Sequence, residues 1–216
     1  MKRVLVWLPV ALGICSALAA ADSLPSARPE DEGISSARLE TMHSFHRSVV
    51  ESGRVNGVVT LVARHGRIVD WQAHGFQDLA RHTPMRRDTI LRIHSMTKPI
   101  TAVAVMMLVE EGALGFDDKI ETFIPALAHR KVCIGGTVGA PQLVDAKRPI
   151  TVWHLLTHTS GLTYGSADPG ASIPAQIQAQ PGRDPLAAAD LSEFIDRVAQ
   201  LPLVNQPGDA WTYGIS

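Results

Sequence analysis

Apolar residues change their spacing several times along this chain, and each change marks a different element. Val4 to Leu18 is almost continuously apolar, follows Lys2 and Arg3, and gives way to small residues at Ala17, Ala19, Ala20 and Ala21. That order predicts a cleavable export signal over residues 1–21; the run is shorter than the roughly 20 residues a membrane-spanning helix needs. No stop-transfer pattern follows, so no membrane anchor is expected after cleavage. Beyond a polar entry, Leu39, Met42, His46, Val49 and Val50 share one face of a helix. Ser35 is placed to cap it, Ile34 to staple onto Leu39, and Gly53 to end it. Gly57–Arg64 and Arg67–Phe76 are β-branched apolar runs joined by His65-Gly66, the signature of a hairpin. Thr89–Ile93 reads as a third extended piece.

From Met96 to Glu111 the period disappears: Ile100, Val103, Val105, Met106, Met107, Leu108 and Val109 leave no polar face before Gly112. A helix apolar on every side is expected to be buried. Pro99 is harmless in the first turn, where its missing N–H has no intrahelical acceptor. From Asp117 the texture turns to short helices and loops. Thr151 caps a helix running through Leu155 and Leu156 toward Gly161, and the stretch 163–185, rich in Gly, Pro, Ala and Gln, predicts a loop walling a site. Asp190 with Glu193 suggests a capping box before the amphipathic set Leu191, Phe194, Ile195, Val198 and Leu201, which Pro202 closes. These patterns predict an α/β protein in two parts after the signal. One spans 22–116, with a helix, a hairpin and the all-apolar helix; the other, 117–216, is mostly helical. The site is expected between them.

Composition narrows the class. With 216 residues, 45% hydrophobic and 19% charged, the chain has the balance of a folded domain. Twenty Lys and Arg stand against 21 Asp and Glu, for a net charge of -1, so no electrostatic footprint for nucleic acid or an anionic membrane is present. Of the two cysteines, Cys15 lies in the signal. Cys133, between Val132 and Ile134, reads as a packed thiol without a bridge partner.

The chemistry stands at the head of the all-apolar helix, in Ser95-Met96-Thr97-Lys98. One helical turn sets residues i and i+3 on the same face, so the Ser95 hydroxyl and the Lys98 ammonium can meet. A serine hydroxyl is a poor nucleophile at neutral pH. A lysine in apolar surroundings can help by giving up its own proton or by lowering the pKa of a neighbouring base. The Ser95 backbone N–H, at the start of the helix, can stabilise an oxyanion.

Ser95-Met96-Thr97-Lys98-Pro99, Glu111-Gly112-Ala113-Leu114, the run His154-Leu155-Leu156-Thr157-His158-Thr159-Ser160-Gly161-Leu162, and Pro207-Gly208 before Trp211-Thr212-Tyr213 resemble, in that order, the β-lactamase-related serine hydrolases. That family includes class C β-lactamases, D-Ala-D-Ala carboxypeptidases and family VIII carboxylesterases. The resemblance covers about Glu30 to Ser216 and implies the β-lactamase/transpeptidase-like fold. It also implies Ser95 as the acylated nucleophile, Lys98 as its activating partner and Tyr213 as the tyrosine of the Y-x-N element, shuttling the serine proton. A small-molecule ester or amide substrate is implied, with no metal or cofactor. Two departures shape the expectation. Ile215 stands where the family has Asn and can neither donate nor accept a hydrogen bond, which turns the expectation toward esters. The chain also stops at Ser216, before the later sheet strands and K-T-G-like element of the family, as a C-terminally truncated member would.

His154 and His158, i and i+4, have a zinc-like spacing, but the glutamate of H-E-x-x-H is missing and a structural role is expected. His65, His74, His82 and His94 receive no role. The absence of G-x-S-x-G argues against an α/β-hydrolase, and no Gly-rich phosphate loop follows a strand. A rival expectation from another class is a non-catalytic binding or scaffold protein on the same frame.

Overall fold

The computed structural model describes residues 24–216; the export signal read over 1–21, with Cys15, lies outside the described residues. Two compact units result, Met1–Arg92 and Ile93–Ser216. The division falls just before Ser95 and the helix that follows it rather than at the change of texture near Asp117. Ser95, Lys98 and Tyr213 consequently all belong to the second unit.

In the first unit, α1 (Ser36–Glu51) begins where the Ser35 hydroxyl accepts the Arg38 N–H, and it turns Leu39 and His43 inward. These pack toward a meander of β1 (Gly57–Arg64), β2 (Arg67–Asp78) and β3 (Thr83–Pro84). The hairpin forms as its sequence predicts: β1 and β2 pair antiparallel across His65 and Gly66, which take φ of 51° and 74°. Two successive left-handed residues are what a tight hairpin turn requires. Thr89–Ile93 is not a strand. The third strand is the two-residue Thr83–Pro84, and the chain from Thr89 runs without regular structure, with Ile90 fully exposed. Between α1 and β2 lies a polar cluster in which His43 Nε2 bonds Asp70 Oδ1 at 2.9 Å and His43 Nδ1 meets Glu40 at 3.3 Å. Burial works against a charge on His43, but the two carboxylates outweigh it and hold the imidazole above its ordinary pKa.

The second unit comprises α2 (Thr97–Glu110), α3 (Ile120–Phe123), the hairpin β4 (Lys131–Thr137) and β5 (Ala140–Asp145), α4 (Val152–Leu156), α5 (Ile173–Gln178) and α6 (Leu191–Gln200). Its core gathers Ile120, Leu127, Val132, Ile150, Val152, Leu162, Val198 and Leu203. The chain after α6 joins the hairpin, since Leu203 exchanges backbone hydrogen bonds with Lys131 and Cys133 at 2.8 and 2.9 Å. Arg130 is buried beneath. Its guanidinium donates to the carbonyls of Val198, Ala199 and Leu201, the groups a helix end leaves without partners.

Three local expectations change. The β4–β5 hairpin occupies a region expected to be helical or looped; Gly135 and Gly136 at positive φ beside a register shift, and Pro141 in β5, hide its strand character. The loop expected over 163–185 contains α5, which the Ser172 hydroxyl caps through Ala175 N–H and whose Ala175, Ile177 and Gln178 are buried. At α6, Asp190 caps Glu193 N–H as expected, but the Glu193 carboxylate takes the Ala189 N–H rather than that of Asp190.

The largest correction concerns α2. None of its residues is buried, and Ile100, Val103 and Met107 are 62%, 61% and 55% exposed. Its half-buried positions, Lys98, Ala102, Val105 and Val109, form a single stripe at helical spacing, and Val105 packs on the core. An apolar surface on all sides requires cover on all sides, and within the unit one side receives it. Among the described residues no helix is long and apolar enough to cross a membrane.

Candidate active site

Ser95 sits in a single 3-10 turn, His94–Met96, that feeds directly into α2. His94 takes a left-handed φ of 44°, a strained choice for a side chain with a Cβ, immediately before the candidate nucleophile. Ser95 is exposed, and Lys98, one turn on, is half-buried at the top of the covered stripe of α2. Beyond it lies an open cavity of about 790 Å3 whose wall includes Ala102, Val105, Leu155, Phe194 and Ile215.

The opposite wall is built by two segments that approach closely. His158–Tyr164 leaves α4, is pinned by Thr212 N–H on the His158 carbonyl and Gly208 N–H on the Thr159 carbonyl, both 2.8 Å, and buries Leu162 in the core. The returning segment carries Trp211 and Tyr213. The contact depends on Gly214: a Cβ there would stand 2.5 Å from the Leu162 carbonyl oxygen and 2.7 Å from Thr163 Cα. Stacking completes the fit, with the Tyr213 ring 4.8 Å from His158 and 6.2 Å from Trp211.

The three residues singled out in the sequence come together. Lys98 Nζ lies 5.0 Å from the centroid of the Tyr213 ring, and the phenol is held below the usual tyrosine range. The Ser95 hydroxyl, within reach of the phenolic oxygen, contributes most to that lowering; desolvation opposes it, and the nearby Lys98 ammonium favours the phenolate. Lys98 itself stays above the ordinary lysine value, chiefly through its hydrogen bond with Tyr164 and against its own desolvation. Of the two ways a lysine can assist, the geometry therefore favours the second: an ammonium that stabilises a neighbouring phenolate.

Tyr164 was not singled out in the sequence. Its hydroxyl accepts the Lys98 ammonium at 2.8 Å, and its ring lies 5.7 Å from that of Tyr213. It lies in the stretch expected to wall a site, but only the folded chain shows which of those residues touches the lysine. His154 serves the α4 cap, its Nδ1 accepting the Thr151 N–H at 3.1 Å while the Thr151 hydroxyl accepts the His154 N–H. His158 lies past the end of α4 at φ 56°, so the two histidines do not share a helix face. Burial and the Lys98 charge push the His158 imidazole below its ordinary pKa. Ile215 packs against the core, so the Asn position of the Y-x-N element is taken by a packing side chain.

A turn-borne serine at a helix N-terminus, a lysine one turn on and a facing tyrosine are the arrangement that the sequence motifs anticipate. The Beta-lactamase family model matches residues 42–214, and the chain belongs to that family. It is 36% identical to Esterase EstB of Burkholderia gladioli over 92% of its own length and 47% of that protein. Among solved structures, it is similar to EstCE1, described as a hydrolase with promiscuous acyltransferase activity: TM-score 0.65, 28% identity, covering 82% of this chain and 43% of that one. It is also similar to the unliganded selenomethionyl form of Simvastatin Synthase (LovD) from Aspergillus terreus: TM-score 0.63, 26% identity, covering 83% and 45%. The chain thus spans about half the length of the curated relatives it matches.

Proposed function

We propose that the protein is a serine hydrolase that cleaves small esters through an acyl-Ser95 intermediate. The observation that carries this reading is the meeting of Ser95, Lys98 and Tyr213, with the phenol lowered and the ammonium retained. In the acylation step the Tyr213 phenolate takes the Ser95 proton as Oγ attacks the ester carbonyl carbon. The tetrahedral oxyanion faces the Ser95 backbone N–H at the start of the helix. When the C–O bond to the alcohol breaks, Tyr213 returns the proton to the leaving oxygen. Water then attacks the acyl carbon, gives its proton to Tyr213, and the free acid departs as Ser95 recovers that proton. Lys98 remains an ammonium throughout.

Esters are favoured over amides because Ile215 offers no hydrogen bond where the family's Asn stands. The alternative amide reading, a β-lactamase or D-Ala-D-Ala carboxypeptidase, uses the same acyl-enzyme. The test is twofold. A fluorophosphonate should label Ser95 and fail on Ser95→Ala, and a short-chain aryl ester should turn over faster than a cephalosporin. A folded full chain that takes no label would favour the scaffold reading, and faster cephalosporin turnover the amide reading. The likeness to EstCE1, a hydrolase with promiscuous acyltransferase activity, and to Monacolin J acid methylbutanoyltransferase of Aspergillus terreus supports a second outcome, transfer of the acyl group to an acceptor other than water. The export signal expected over 1–21 supports a site of action outside the cytoplasm.

A further inference from the structure

The site holds a second phenol that the serine, lysine and tyrosine roles leave unused. We propose that Tyr164 is a positioning residue whose hydroxyl holds the Lys98 ammonium beside the Tyr213 phenol and turns its own O–H toward the Tyr213 oxygen. This deepens the hydrolase reading above and rests on it.

The geometry is specific. Lys98 Nζ donates to the Tyr164 oxygen at 2.8 Å and stands 5.5 and 5.0 Å from the centroids of the Tyr164 and Tyr213 rings. An ammonium bound to a phenol occupies a lone pair of the oxygen and leaves the O–H free to donate. The Tyr213 oxygen is the acceptor that gains most from such a donor, because it carries the developing negative charge. The Tyr164 hydroxyl indeed contributes to lowering the Tyr213 phenol and is the main cause of the raised Lys98 value. The groups facing Lys98 and Tyr213 come from every neighbouring segment. Ser95 and His94 come from the turn before α2, His158 from the turn after α4, Tyr164 from the next few residues, and Trp211 from the returning segment. Of these, His158 is depressed by burial and by Lys98, so it adds little positive charge near neutrality.

The backbone explains why this pair lies side by side. Tyr164 follows the buried Leu162, and Tyr213 precedes Gly214, whose missing Cβ lets the two segments touch. That backbone contact brings together the two segments that carry the rings.

The chain contains two tyrosines, both in this site, so their ionisation can be read directly. In the full chain, ultraviolet titration of tyrosinate in Tyr164→Phe reports Tyr213 alone, and in Tyr213→Phe it reports Tyr164 alone. The expected result is that the Tyr213 step in Tyr164→Phe lies roughly one pH unit above the first step of the wild type. The pH profile of Ser95 phosphonylation should narrow from both sides. Its acid limb rises with Tyr213, and its alkaline limb falls because Lys98 has lost the acceptor that kept it charged. Tyr164→His, which retains a hydrogen-bonding group, should restore part of the shift and guards against a folding defect in the Phe variant. An unmoved tyrosinate step with unmoved limbs, even at reduced rate, would overturn the inference and leave a packing role. If the wild type takes up label at Ser95 while the limbs stay fixed, the hydrolase reading survives and only the Tyr164 role fails. No label on the wild type would sink both.

Discussion

Two helices of the same unit, α2 and α6, reverse what their sequences suggest. α2 has the richer apolar content and buries none of its residues; α6 is mixed and sets Val198 at 1% exposure. The difference lies in what meets each helix. α6 presents a stripe that the core accepts, its start is capped by Asp190, and its last carbonyls are taken by Arg130. α2 offers apolar surface in every direction and finds one partner stripe. Burial follows complementary cover, and apolar content alone does not supply it.

That contrast can be broken by mutation, and the largest effect belongs to the core that α6 helps to close. Leu203→Ala, at a site with no exposure, should cost about 2–5 kcal/mol in denaturant unfolding of the second unit. Loss of the buried charge comes next. Arg130→Met should cost roughly 3 kcal/mol, because the carbonyls at the end of α6 lose their donor; an unchanged midpoint would mean that they find other partners.

α1 supplies an intermediate case, anchored partly by polar groups. His43 is held above its ordinary pKa by Asp70 and Glu40, so its contribution is fully present below about pH 6.5 and fades as pH rises through the higher folded value. His74 works in the opposite sense. Burial, then the charges of Arg47, His43 and His46, lower it, so it costs stability only as pH falls below its unfolded value. Of these two histidines, only His43 therefore contributes a slope above about pH 6.5. Asp70→Asn should remove about 1.5 kcal/mol at pH 6.5 and flatten the wild type's decline toward higher pH, as followed by urea midpoints. A decline as steep as the wild type's would assign it to another group.

The smallest effect is expected on α2. Val103→Glu combined with Met107→Lys places an i, i+4 ion pair on its exposed side and should change unfolding by no more than about 0.5 kcal/mol. The same double variant should reduce self-association in sedimentation, since exposed apolar patches drive contacts between copies. A loss comparable to that of Leu203→Ala would show that this side of α2 is covered in solution.

Much of this was legible because local chemistry decides it. Ser35, Thr151 and Asp190 announce their helices through side chains that accept N–H groups three residues on, and His65-Gly66 announces its hairpin through left-handed backbone. Ser95 and Lys98 were readable for the same reason, since one helical turn relates them. Tyr213 became readable only through the motif around it. Tyr164 was not readable: it is separated from Lys98 by 66 positions, and their contact depends on how α4, the Leu162 anchor and the returning chain are packed. The β4–β5 hairpin was hidden by its glycines and proline, and the exposure of α2 by the absence from any sequence pattern of information about what lies opposite a helix.

Gly214 gives the C-terminal motif a constraint of its own. The central letter of Y-x-N is written as free, yet in this chain even alanine would drive a methyl group into the Leu162 carbonyl and lever the tyrosine-bearing segment off its neighbour. Position 214 is thus a spacer of zero thickness. An engineer wishing to widen the mouth of the site could begin there, accepting that the gap opens first between the two phenols.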